Sequence, residues 1–155
     1  MMNGLVITTD NRVYPQVFEE PLYKSAGDVV QGWIEVVHPR GLPHPLCLIC
    51  NEEGLLLDLE CNAVASEWYG CREHGQVIAG NVVVMKEGYR DGEPDIVGLS
   101  EDEIDVVLAR IIEMGKDAGV DLMLQDLGLP TQGWRIAEKR ATESLDPEPP
   151  KEDLR

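Results

Sequence analysis

Val82, Val83 and Val84 are three consecutive β-branched residues within the run Val77 to Met85. Such residues are stiff in a helix and pack well on a pleated surface. Successive strand side chains point to opposite faces, so an unbroken apolar run predicts a strand buried on both sides. A chain with such a strand must build a sheet with cover on each face. Gly80, just before the run, predicts a bulge or a close backbone approach.

The remaining pattern supplies strands and helices for such an arrangement. Leu5–Thr9 and Arg12–Phe18 read as a hairpin turned at Asp10-Asn11. Pro15 cannot donate to a ladder, which predicts an edge position or a bulge. Apolar residues at Leu22, Ala26, Val29 and Val30 follow helical spacing, with Gly32 expected to stop the helix. Trp33–Val37 reads as a third strand, and the proline-rich His38–Pro45 as a loop. Leu46–Cys50 and Leu55–Leu59 read as two further strands joined by a hairpin turn, Asn51-Glu52-Glu53-Gly54. On the second of these, alternation sets Leu55, Leu57 and Leu59 on one face.

Two helix starts carry explicit caps. Asn62 is placed to accept from the amide of Ala65, opening a two-turn helix Ala63–Tyr69 that ends at Gly70. Val64 and Trp68, four apart, would face the sheet. Ser100 and Glu103 form a Ser-x-x-Glu capping box, with Leu99 and Ile104 as the hydrophobic staple. The apolar stripe Ile104, Val107, Leu108, Ile111 and Ile112 follows, ending at Gly119. A shorter helical or loop segment is expected at Val120–Leu129, a last helix at Trp134–Thr142, and a flexible tail at Ser144–Arg155. The expected architecture is one α+β domain over residues 1–143, followed by the tail at 144–155. Its sheet is mixed but mainly antiparallel, with five to six strands and two or three helices packed on it.

Acids outnumber bases 29 to 13, for a net charge of −16. That field repels nucleic acid and anionic membrane and favours a basic protein partner, although solubility alone accounts for many acidic surfaces. Seven acids against the single Arg90 lie between Glu87 and Glu103. No apolar run approaches membrane-spanning length, and Met1–Asp10 lacks the pattern of a secretory signal. The expectation is a cytoplasmic protein without structural disulfides.

Several constellations qualify as sites. Cys47-x-x-Cys50 and Cys71-x-x-His74 have the spacing of two zinc-ligand pairs. Against this, residues three apart on a strand point to opposite faces, and cysteine packs well as a small hydrophobe. No cofactor is therefore expected, with zinc the one metal to test. A redox Cys-x-x-Cys needs a helix N-terminus, which Cys47 lacks. His38, His44, His74 and the scattered serines form no recognisable hydrolytic set, and no phosphate-binding glycine loop is present. Asn51 reads either as an Asx turn or as a contact to a ligand's polar edge.

The strand Leu5-Val6-Ile7, Gly32–Val37, Asn51–Gly54, Asn62 with Ala65, Tyr69-Gly70 and Ile78–Val83 occur in an order and spacing that resembles an uncharacterised family of small bacterial and phage proteins. This is domain-of-unknown-function family 3846. The resemblance spans roughly Leu5 to Met85, leaving 86–143 as an acidic helical extension. It departs from the family at Ala63, where proline is common, and in its cysteines. It implies a phage or mobile-element context, often beside counter-defence genes, and no reaction.

Two functions compete. One is a non-enzymatic interaction protein that binds a basic host protein through Asp91, Glu93, Asp95, Glu101, Asp102 and Asp105. The other is a small-molecule binder, a sponge for a nucleotide signal, or an enzyme. It would use a cleft beside the sheet, with Asn51, Asn62, Tyr69 and Arg72 as ligand contacts.

Overall fold

The computed structural model describes residues 2–116, apart from the side chains at 72, 74, 115 and 116. Six strands form one sheet: β1 (Met2–Ile7), β2 (Val13–Phe18), β3 (Ile34–Val37), β4 (Leu46–Asn51), β5 (Val82–Arg90) and β6 (Glu93–Val97). The order is β2-β1-β5-β4-β3, with β6 paired to β5, and every pairing between these strands is antiparallel. Lys86 faces Leu46 on one side and Val97 on the other, so β6 lies on the β1 side of β5. The Leu99 amide then donates to the Asn3 carbonyl at 2.7 Å. The helices are α1 (Leu22–Val30), α2 (Ala63–Tyr69), the single turn α3 (Cys71–His74) and α4 (Glu101–Lys116). The fold is α+β, as expected.

The valine run behaves as its pattern requires. Val82 and Val84 join Leu5, Ile7 and Leu48 in a core covered by Val64 and Trp68 of α2 and by Ile104, Val107, Leu108 and Ile111 of α4. Val83 points the other way, into a second core with Val6, Ile49, Met85 and Phe18, covered by Ala26 and Val30 of α1. All three valines are fully buried, each contributing about 1.5–3 kcal/mol of hydrophobic stabilisation. Pro15 sits on β2, the edge strand, where its missing N–H leaves no ladder bond unmade.

The capping box at α4 is complete. The Glu103 amide donates to Ser100 Oγ at 3.2 Å, and the Ser100 amide to Glu103 Oε1 at 2.8 Å. Leu99 and Ile104 are both buried beside it.

Four local expectations are corrected. Gln31, not Gly32, takes the left-handed conformation that ends α1. The amides of Gln31 and Gly32 both donate to the Gly27 carbonyl, at 2.8 and 3.0 Å. Gly32 is instead a close approach, where a Cβ would lie 2.8 Å from Asn51 Nδ2.

Leu55–Leu59 is not a strand, and Asn51–Gly54 closes no hairpin. Asn51 ends β4, which pairs with β3 and β5, and residues 52–58 coil through successive turns. The Leu57 amide donates to the Glu53 carbonyl at 2.9 Å, the Leu59 amide to Gly54 at 3.0 Å, and Asp58 adopts φ 57°. Leu55, Leu56 and Leu57 therefore show no alternation, and all three are exposed.

The predicted strand at Val77–Met85 begins only at Val82 and continues to Arg90, while Ala79 makes a lone bridge to Cys61. Beyond it lies a hairpin that the acidic composition hid. Asp91 (φ 53°) and Gly92 (φ 81°) both take the positive φ that a tight two-residue connection needs. The helix stop expected at Gly119, the helical or loop segment at 120–129, the helix at 134–142 and the tail at 144–155 lie outside the described residues.

Candidate functional site

A concavity of about 600 Å³ opens at the β3 end of the sheet. Its floor is Glu35 and Val37 of β3 with Cys50 of β4. Glu35 stands opposite Cys50 in the antiparallel register and so shares its face, the one that α2 covers. One wall is the turn after β4, with exposed Leu55 and Leu56; the other is Tyr69 with the segment 76–79. β3 is the last strand in the sheet order, so its outer edge pairs with no strand among the described residues.

Short polar bonds build both walls. Asn51 Oδ1 accepts from the Glu53 amide at 2.7 Å, and its Nδ2 donates to the Val30 carbonyl at 2.9 Å. This is the Asx turn, fastened to the end of α1. The Glu52 amide donates to the Trp33 carbonyl at 2.9 Å, which ties the turn to the start of β3. Gly54 packs against Ala79 so closely that a Cβ would lie 2.5 Å from the Ala79 carbonyl oxygen. On the other wall, Ser66 Oγ accepts from the Ile78 amide at 2.9 Å and docks 76–79 onto α2.

Behind this wall lies Asn62, fully buried. Its Oδ1 accepts from the Ala65 amide at 3.1 Å, the expected cap. Its Nδ2 donates to the carbonyls of Ile7 and Gly80, both at 3.0 Å. One side chain thus ties the helix start, β1 and the approach to β5 together. Of the four residues expected to contact a ligand, Asn51 and Tyr69 line the cleft, and Asn51 already spends its polar atoms on the fold. Asn62 sits in the core, and the side chain of Arg72 lies outside the described residues.

Residues that composition did not single out give the cleft its character. Glu35, Glu52 and Glu53 are exposed carboxylates at its floor and wall, beside Leu55 and Leu56. Among the described residues lining it there is no lysine or arginine. The Glu52-Glu53 pair was visible in sequence, but reading 55–59 as a strand placed it at a hairpin tip. Glu35 joins it only through the β3–β4 register.

The cysteines divide. Cys47 is paired with Met85, which packs on the α1 face, and Cys50 belongs to the core on the α2 face. Burial pushes both thiols up to about 12; Glu87 beside Cys47 and Glu35 beside Cys50 add to the effect. Such thiols carry almost no thiolate near neutral pH. Cys71 packs against the core that holds Cys50, opposite Cys47. The side chain of His74 lies outside the described residues, and among the described residues no three His, Cys, Asp or Glu side chains are grouped to hold a metal ion. His38 and His44 both approach Glu87 Oε1, at 3.1 and 3.8 Å, on an exposed surface.

The acids expected to meet a partner lie elsewhere. Asp91 is at the β5–β6 turn, Glu93 and Asp95 are on β6, and Glu101, Asp102 and Asp105 occupy the first turns of α4. All six residues are exposed. Arg90 is engaged by Glu20 and by Asp95 at 3.5 Å. β6 and β3 are separated by β5 and β4, about 14 Å at three strand spacings. A second, shallower groove of about 780 Å³ lies between α2 and α4, lined by Trp68, Val106, Ala109 and Met114. It borders the end of α4, from which residues 117–155 continue. No described helix is long and apolar enough to cross a membrane.

No curated protein and no solved structure matches the chain. A match to a family model extends further than the resemblance to Leu5–Met85, covering residues 2–114. Residues 86–114 of the acidic segment thus fall within the family match. β5 runs through that boundary, and α4 shares with α2 the cover of one sheet face. The matching model is described as "Domain of unknown function (DUF3846)", and the chain belongs to that family.

Proposed function

We propose that the protein is a non-catalytic binding protein for a basic protein partner. The observation that carries this reading is the lining of the cleft: three exposed carboxylates, exposed leucines and no described cation, in a chain of net charge −16. A cationic surface with an apolar anchor complements such a lining, and the field of the whole chain steers it inward. The exposed acids on β6 and α4 extend the same field away from the β3 edge. The family resemblance motivates the biological setting: a phage or mobile-element accessory protein acting in a host cytoplasm against a basic host factor.

The competing reading, a sponge for a nucleotide signal, requires cations or free polar donors facing the ligand. Asn51 and Asn62 have committed theirs to the backbone. The purified protein, used as bait in host lysate at about 0.1 M and about 1 M salt, tests the proposal, because the Debye length falls from about 10 to about 3 Å across that range. A basic protein retained at the lower salt and released at the higher is expected. Absence of any salt-sensitive partner, together with a nucleotide that raises the melting temperature, would overturn the proposal.

A further inference from the structure

We infer that the outer edge of β3 is a strand-addition site for an extended basic segment of the partner, read through the adjoining cleft. This inference rests on the binding-protein reading and specifies its recognition mode. β3 is a terminal strand of the sheet, and its outer edge faces no other described strand. An unpaired edge offers a row of backbone donors and acceptors that an incoming strand satisfies. The cleft floor is made by the cleft-facing side chains of the same strand, Glu35 and Val37.

An added strand would therefore place alternate side chains directly over that floor. One of them lies opposite Glu35 and the next on the same face, two residues away, opposite Val37. Charge and apolarity match when the first is lysine or arginine and the second aliphatic, set beside Val37. The residue between them points to the opposite face of the sheet. The recognition unit is thus a basic residue and an apolar residue separated by one position, in an order set by strand direction. A second copy pairing edge to edge with Glu35 opposite Glu35 would bring like charges together, which disfavours that register against a basic strand.

The test uses the full chain and a short labelled peptide in which threonine alternates with lysine and valine in turn. Three comparison peptides carry glutamate for lysine, lysine adjacent to valine, or scattered proline. Expected results are binding by fluorescence anisotropy, shifted amide resonances at Ile34 to Val37, and slowed hydrogen exchange there. Glu35→Lys should weaken binding at least about tenfold, since it sets like charges opposite each other. Asp28→Lys, the same charge change on an exposed position of α1, should leave it nearly unaltered. Folding of each variant is checked by its amide spectrum. Equal binding of the adjacent-lysine peptide, or binding indifferent to Glu35→Lys, overturns the inference. So does binding whose shifts fall on β6 and α4, although that result keeps the basic-partner reading. Failure of the alternating peptide to bind also overturns it, while the lysate experiment judges the broader reading independently.

Discussion

Asn62 supports the fold by a mechanism whose size follows from its three hydrogen bonds. Asn62→Ala removes the cap on the Ala65 amide, worth about 1 kcal/mol. It also removes two buried hydrogen bonds, to the carbonyls of Ile7 and Gly80, at about 1 kcal/mol or a little more each. The total is about 3–4 kcal/mol, a large share of the roughly 5–15 kcal/mol by which domains are stable. With a urea slope of about 2 kcal/mol/M, the midpoint should fall by about 2 M, read by circular dichroism.

Asn62→Asp separates the cap from the ties. It keeps the acceptor for Ala65 but turns a carboxylate toward two carbonyl oxygens in the core. Burial and those oxygens both raise the folded-state pKa above the ordinary aspartate value of about 3.9. The native state then binds more protons than the unfolded state, so stability falls as pH rises from the unfolded pKa through the folded one. Below that window the protonated acid donates one hydrogen bond and recovers part of the loss. Relative to wild type, the variant should therefore be less impaired near pH 4 than near pH 8. An Asn62→Ala cost below about 1 kcal/mol, or an Asn62→Asp penalty flat in pH, would refute this account of the side chain.

Further expectations concern charge and thiol chemistry. Burial would raise the Glu103 carboxyl, but the Ser100 amide and hydroxyl and the Lys86 ammonium, at 2.9 Å, lower it overall. A depressed acid contributes stability above its unfolded pKa that is lost as pH falls through the folded value. Glu103→Gln should flatten the acid limb of a melting-temperature profile; an unchanged limb would count against the capping interaction. Cys47 and Cys50 should resist alkylation near pH 8 in the native protein and react on unfolding. Native labelling at the rate of a free thiol would contradict their placement.

Much of the fold was legible because its signals are local. The Ser100 box, the Asn62 cap, the Gly70 stop and the apolar stripe of α4 each lie within a few residues of the groups they satisfy. The valine run reported cover on both sheet faces, since alternation leaves a strand of this kind no solvent side. Strand placement of Cys47 and Cys50 separated the two thiols correctly for the same reason. The tight Asp91-Gly92 connection was equally local, but its flanking acids drew the reading toward charge.

A cleft beside the sheet with Asn51 and Tyr69 was expected from the sequence, but its acidic lining was not legible, because those parts meet only through tertiary pairing. Leu55–Leu59 has the composition of a strand, yet Asn51 fastens the preceding turn to α1 and Gly54 packs on Ala79, which holds the segment coiled. The β3–β4 register brings Glu35 beside Cys50, at the floor of the cleft that Glu52 and Glu53 also line, from fifteen or more residues away in sequence. The chain's own pattern determined the caps, the two-sided strand and the acidity. Which carboxylates share a cleft, and which described strand ends the sheet beside them, was decided by long-range backbone pairing that local periodicity does not encode.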